Sequence, residues 1–273
     1  MPIASIDFEK GVVYDYEKRE HPLGAIARLM LGNKRGNVSV QSKDNNLNGR
    51  HVPNKLEKAL QVVRDISSLG IIKDYAVCGA VAAMCSIEPV LTYDLDIFFI
   101  PIKEGPAALV PIQAYVKYRG FSIRAKSILV DGIPIQFIPA SSDLVREAVE
   151  HAETRKYYTV ELKVVTAEYL SAIAIQAGRD KDKEHAIRLL EVADIDRSVL
   201  SRILESYGLA RKFKGFEKQY MKDGNIDSLF RKKREWRCDL TKLPFVKKIE
   251  IVIELQKVAA GHLTGPRRRA WTL

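Results

Sequence analysis

Residues 75–100 read YAVCGAVAAMCSIEPVLTYDLDIFFI, and this stretch decides the fold. Its first four residues form an apolar run that reads as a strand, Gly79 ends it, and the small residues of 80–86 continue as helix. The run 91–100 reads as a second strand with two acids at its start, Asp94 and Asp96, and Pro101 closes it. Residues two apart on a strand share a face, so both carboxylates point one way while Leu95, Ile97 and Phe99 turn the other. One face is a site and the other is core. Neighbouring carboxylates repel, and burying their charge is costly without a counterion, so a divalent cation accounts for the pair. Oxygen-only ligands favour Mg²⁺ or Mn²⁺ over zinc. Gly79, lacking a Cβ, lets backbone N–H groups come close to a phosphate at a helix start. Taken singly, both motifs have ordinary readings, since paired acids occur on solvated strand edges and a Gly-Ala pair at many turns. Their order and spacing favour a site.

Outward from this stretch the pattern is mixed. Asn54 is placed to cap a helix in which Leu56, Ala59, Leu60, Val63, Ile66 and Leu69 recur at intervals of three and four, and Gly70 suits its end. A helix is expected over 106–119, and the runs 121–130 and 133–138 form a hairpin about Asp131-Gly132. A helix over 141–151 and a strand near 158–165 follow. From Thr166 onward the strand signals stop, and 181–193, 196–206, 209–222 and 244–263 all carry helical periodicity. Residues 1–52 read as a weakly ordered arm, with one short helix in PLGAIARLML and a polar loop rich in Gly and Asn after it. The expected class is α/β (α+β): an arm over 1–52, a mixed-sheet domain with flanking helices over 53–165, and a helical domain over 166–273.

The run Tyr75–Ala82 with Gly79 and Ala80, followed by Pro89, Thr92, Asp94, Asp96 and an apolar strand tail, resembles the minimal nucleotidyltransferases of the DNA polymerase β superfamily, above all the AbiEii toxins. A second stretch agrees: Thr166 to Leu170, then Gln176-Ala177-Gly178-Arg179-Asp180-Lys181-Asp182, is similar to the helix that follows the catalytic sheet in that group. The resemblance covers roughly residues 54–192. It implies a nucleotidyltransferase fold that binds an NTP with Mg²⁺ (or Mn²⁺) and transfers a nucleotidyl group to an RNA, possibly tRNA, or to a protein, as a toxin-like component of a bacterial defence or toxin–antitoxin system. Asp94 and Asp96 would be catalytic metal ligands. Gly79, Ala80 and Thr92 would belong to the nucleotide site, with Arg179, Lys181 and Asp182 beside the triphosphate. The third acid of the family falls at Gln136, which offers a carbonyl oxygen but neither charge nor basicity. Asp131 lies some five residues away in the presumed turn, too far along a strand to replace it. The alternative is therefore a catalytically degenerate module of the same fold that binds nucleic acid or a protein partner.

Composition is compatible with both readings. The 273 residues are 47% hydrophobic and 29% charged, ordinary for a folded protein. Net charge is +10, with 18 Lys/Arg against 17 Asp/Glu in residues 1–150 and 26 against 17 in 151–273. The excess in the second half suggests an anionic partner. Basic clusters at Arg211-Lys212-x-Lys214 and 231–237 are interleaved with Phe213, Phe216, Tyr220 and Trp236, a mixture that suits phosphate contact with base stacking and equally a helical bundle with a solvated face. Cys78, Cys85 and Cys238 form no CxxC pair and read as reduced core residues. No apolar run reaches a membrane span and no signal peptide is legible, which places the chain in the cytoplasm with no membrane partner. His185, about one turn beyond Lys181, could face the site; the other histidines lack metal-ligand spacing.

Overall fold

The computed structural model describes residues 3–7, 12–15, 20–22, 53–221, 238–262 and 271. The chain divides into two compact units, Met1–Val52 and Pro53–Leu273. In the first, β1 (Ile3–Asp7), β2 (Val12–Asp15) and β3 (Glu20–Pro22) form an antiparallel sheet in the order β1-β2-β3. Sequence patterning signalled no strand in this arm, because runs of three to five residues are too short for a period of two to stand out. The helix expected in PLGAIARLML lies outside the described residues apart from Pro22, which ends β3, and so does the polar loop after it.

The second unit is built on a seven-stranded mixed sheet flanked by helices. Its strands are β4 (Asp74–Cys78), β5 (Leu95–Ile100), β6 (Ser122–Arg124), β7 (Ser127–Val130), β8 (Ile133–Pro139), β9 (Glu153–Tyr157) and β10 (Val160–Val164). The spatial order is β6-β7-β8-β5-β4-β10-β9. Pairing is parallel between β5 and β8 and between β4 and β10, and antiparallel elsewhere. The acidic stretch therefore occupies the middle of the sheet, where Leu95, Ile97 and Phe99 are fully buried.

Helix α1 (Lys55–Ser68) starts as expected. Asn54 accepts from the Glu57 amide, and Glu57 reaches back to the Asn54 amide, a complete capping box. Glu57 is fully buried and also accepts from the amide and hydroxyl of Thr159, so the cap is tied to the β9–β10 turn. The apolar stripe of α1 packs against β7, β8 and β10. Helices α2 (Gly79–Ala83), α3 (Val110–Tyr118) and α4 (Asp143–Glu150) alternate with the strands. After β10 come α5 (Ala167–Ala177), α6 (Asp180–Val192), α7 (Arg197–Ser206), α8 (Ala210–Phe216), a π-helical turn over Glu217–Met221, and α9 (Phe245–His262).

Several boundaries differ from the sequence reading. The strand expected over 91–100 begins only at Leu95, so Asp94 precedes it and Asp96 is its second residue. The run 121–130 is broken at Ala125, whose φ of 52° turns the chain into a β6–β7 hairpin of its own. The Asp131-Gly132 turn is present, both residues having positive φ. Strand β9 gave no signal because Glu153, Thr154, Arg155 and Lys156 are all exposed and only Tyr157 is buried. Among the described residues no helix is long and apolar enough to cross a membrane.

Candidate functional site

Three strands converge on one line across the sheet. Cys78 at the end of β4 pairs with Asp96 of β5, and Asp96 pairs with Gln136 of β8. Paired residues of adjacent strands project from the same face, so Gln136 stands directly beside Asp96. Asp94, Asp96 and Gln136 are half-buried while Leu95, Ile97, Ile135 and Phe137 are buried, as the period of two requires.

Gly79 follows Cys78 and closes over the same spot. Its φ is +63°, and a Cβ there would fall on Asp96 Oδ2 and come within 3.2 Å of Asp96 Cβ and Cγ. The Asp96 carboxylate thus lies against the backbone of the turn, a closeness that only glycine permits. Thr92 donates its hydroxyl to Asp94 Oδ1 at 3.1 Å, which orients the other carboxylate. Among the described residues neither aspartate is held in an ion pair.

The electrostatics follow from this crowding. Burial pushes the Asp96 carboxyl up from 3.8 to about 6, the Asp94 charge adds to the rise, and Lys181 opposes it. Burial, and then the Asp96 charge, push the Cys78 thiol well up, so the buried Cys78 is an inert core residue. Burial lowers the pKa of His185, and Lys181 and Arg188 lower it further. Lys181, in the first turn of α6, therefore acts on both Asp96 and His185. Arg179 instead donates twice to Asp182, at 2.5 and 3.2 Å, and its side chain is largely exposed. The structure thus brings together Gly79, Thr92, Asp94, Asp96 and Gln136, with Ala80 half-buried next to Gly79 and the exposed Lys181 acting on Asp96 through its charge, and ties Arg179 and Asp182 to each other.

The donor set is oxygen only: two carboxylates and one amide carbonyl, which suits a hard cation. Among the described residues no group of three His, Cys, Asp or Glu side chains is placed to hold a metal ion, and at this site Gln136 leaves two carboxylates and a neutral amide. Among the described residues, cavities of about 220 and 90 Å³ lie elsewhere. The larger is lined by Glu57, Lys58, Arg119 and Asp131, and Asp131 pairs there with Lys58, so it contributes nothing beside Asp96. The smaller is lined by Cys85, Glu153, Arg155, Glu168 and Asp194.

Sequence reasoning missed the residues that hold the loop before β5. Gln256 of α9 donates to the Thr92 carbonyl, and the Trp271 indole donates to the Tyr93 carbonyl. Nothing local signals contacts between residues 164 and 178 apart in the chain. The basic cluster at 231–237 lies outside the described residues. Arg211, Lys212 and Lys214 are exposed on α8, and Lys212 donates to the Gln176 carbonyl beside the start of α6.

No protein-family model matches the sequence, and no curated protein matches it. Among solved structures, an antigenic nucleotidyltransferase-like protein from Paracoccidioides brasiliensis aligns at 16% identity and a TM-score of 0.36, covering 61% of this chain and 95% of that one.

Proposed function

We propose that this chain binds a nucleoside triphosphate with Mg²⁺ at Gly79, Asp94 and Asp96, and that it transfers a nucleotidyl group to an acceptor hydroxyl on RNA or protein. The observation that carries the reading is the Asp96 carboxylate lying against the backbone of Gly79, with Asp94 beside it and the neutral Gln136 next to Asp96 in the strand register. In such a transfer the acceptor hydroxyl oxygen bonds to the α-phosphorus and gives up its proton to solvent water, the bond from that phosphorus to the bridging oxygen breaks, and pyrophosphate leaves. A bound divalent cation supplies charge stabilisation to the attacking and leaving oxygens. The protein's part is to hold the cation on Asp94 and Asp96, to bind phosphate oxygens at the Gly79-Ala80 backbone, and to neutralise them with Lys181. Gln136 can orient an acceptor hydroxyl but cannot take its proton. The exposed cations of α8 favour an anionic acceptor such as RNA, possibly tRNA. The AbiEii-like resemblance extends the proposal to a cytoplasmic, toxin-like role.

The experiment is a calorimetric titration with each NTP in the presence of Mg²⁺, paired with transfer of α-labelled nucleotide to cellular RNA or protein. Wild-type protein binds one NTP, and the Asp94→Asn/Asp96→Asn variant loses that binding. Equal affinities for the two proteins would remove the reading. Gln136 favours a second one, a module of this fold that binds without catalysis. It expects nucleotide or nucleic-acid binding with no label transferred, and Gln136→Asp would then be the variant that gains transfer.

A further inference from the structure

The segment from Met84 to Asp94 joins α2 to β5 and so links Gly79 to both aspartates. It contains no strand, and α9 holds it from outside. The buried face of α9 comprises Lys248, Ile249, Val252, Ile253 and Gln256, each at most 1% exposed. Two polar side chains interrupt this apolar stripe at positions i and i+8, and both reach backbone carbonyls of the segment. Lys248 Nζ donates to Met84 O at 2.9 Å, at the end of α2. Gln256 Nε2 donates to Thr92 O at 2.6 Å, and Gln256 Oε1 accepts the Trp271 amide at 2.6 Å. The Trp271 indole Nε1 donates to Tyr93 O at 3.1 Å. The Thr92 hydroxyl completes the series on Asp94 Oδ1.

A fully buried amide is costly unless both of its ends are bonded, and an apolar residue would fill the stripe with less risk. Gln256 uses one end to fix Thr92 and the other to be fixed by Trp271, so its amide has one orientation. We infer that Gln256 is a positioning residue for the cation site: it sets the Thr92 backbone, the Thr92 hydroxyl sets the Asp94 carboxylate, and Trp271 locks the amide. This inference rests on the proposed cation site at Asp94 and Asp96.

The test measures Mn²⁺ affinity of the full chain by calorimetry, with amide hydrogen exchange of residues 92–96 as a second readout free of metal. Gln256→Leu is expected to raise the Mn²⁺ dissociation constant about 10- to 100-fold, the range for residues that orient metal ligands, and to speed exchange at 92–96. If Gln256 acts through Thr92, then Gln256→Leu/Thr92→Val binds no more weakly than Thr92→Val alone, whereas a general loss of structure would add to it. Trp271→Phe keeps an aromatic ring and the backbone donor to Gln256, loses the indole bond together with part of the buried ring volume, and shifts both readouts in the same direction by less. It carries the test if Gln256→Leu does not fold. Wild-type Mn²⁺ affinity and exchange in these variants, with binding abolished by Asp94→Asn, would overturn the inference and leave the cation site standing. No Mn²⁺ binding by any of the proteins, wild type included, would remove the cation site and this inference with it.

Discussion

At Gly79 the backbone is left-handed and the space for a side chain is already filled by the Asp96 carboxylate. Gly79→Ala therefore meets two penalties, about 1–2 kcal/mol for the conformation and the displacement of Asp96. The expected result is a lower urea midpoint at unchanged slope together with lost Mn²⁺ binding, read by denaturation and calorimetry. Asp96 makes a prediction of the opposite sign. Its folded pKa of about 6 lies above its ordinary 3.8, so between these values the folded protein binds more protons than the unfolded chain. The penalty is absent below about pH 4, grows as pH rises through that window, and is fully present above it, at about 2 kcal/mol after allowance for partial exposure. In metal-free buffer Asp96→Asn is thus expected to be more stable than wild type at pH 7 and equal to it at pH 4, measured by chemical denaturation across pH. Added Mg²⁺ should narrow the gap at pH 7. The face of Asp96 was legible in the sequence because a strand's period of two assigns faces without any knowledge of the neighbours, whereas Asp94 precedes the strand and lies outside that rule. Gln136 and Lys181 come from distant parts of the chain, so they entered the reading only through the family resemblance and not through local spacing.

Strand β9 closes one edge of the sheet, and it does so with charge. Glu153, Thr154, Arg155 and Lys156 are exposed, and Arg155 pairs with Glu153. Charged residues on an edge discourage pairing with a second chain. Arg155→Val/Lys156→Val should leave the fold intact and raise the aggregated fraction on warming, which light scattering would detect. The same charges hid the strand from sequence reading, because alternation of apolar and polar residues is what reveals a strand and β9 has a single buried residue. By contrast α1 was legible in full, since its cap, its stripe and its stop are local features. The hairpin at Asp131-Gly132 was legible for the same reason, while the break at Ala125 was not, because no glycine or asparagine marks that positive φ.

Across the whole molecule charge is unevenly distributed, with the excess of cations after residue 150. Exposed Arg211, Lys212, Lys214 and Lys218 on α8 and the turn after it, together with Lys181, face solvent. If a single-stranded RNA is the anionic partner, log affinity should fall linearly with log salt, and Arg211→Glu/Lys214→Glu should flatten that slope by about 0.7 for each phosphate no longer neutralised. Filter binding at several salt concentrations measures it, and an unchanged slope would exclude α8 from the interface. Global charge of this kind is legible from composition, but the surface it occupies depends on how helices pack. The clasp on the loop before β5 has a further consequence during synthesis. A nascent chain that has emerged only to Leu255 already holds every strand of the seven-stranded sheet and both aspartates, yet the carbonyls of Thr92 and Tyr93 still await donors that lie 164 and 178 residues downstream. Contacts of such long sequence separation carry a large loop-closure cost, so the loop before β5 gains these two donors only after α9 and Trp271 have been translated.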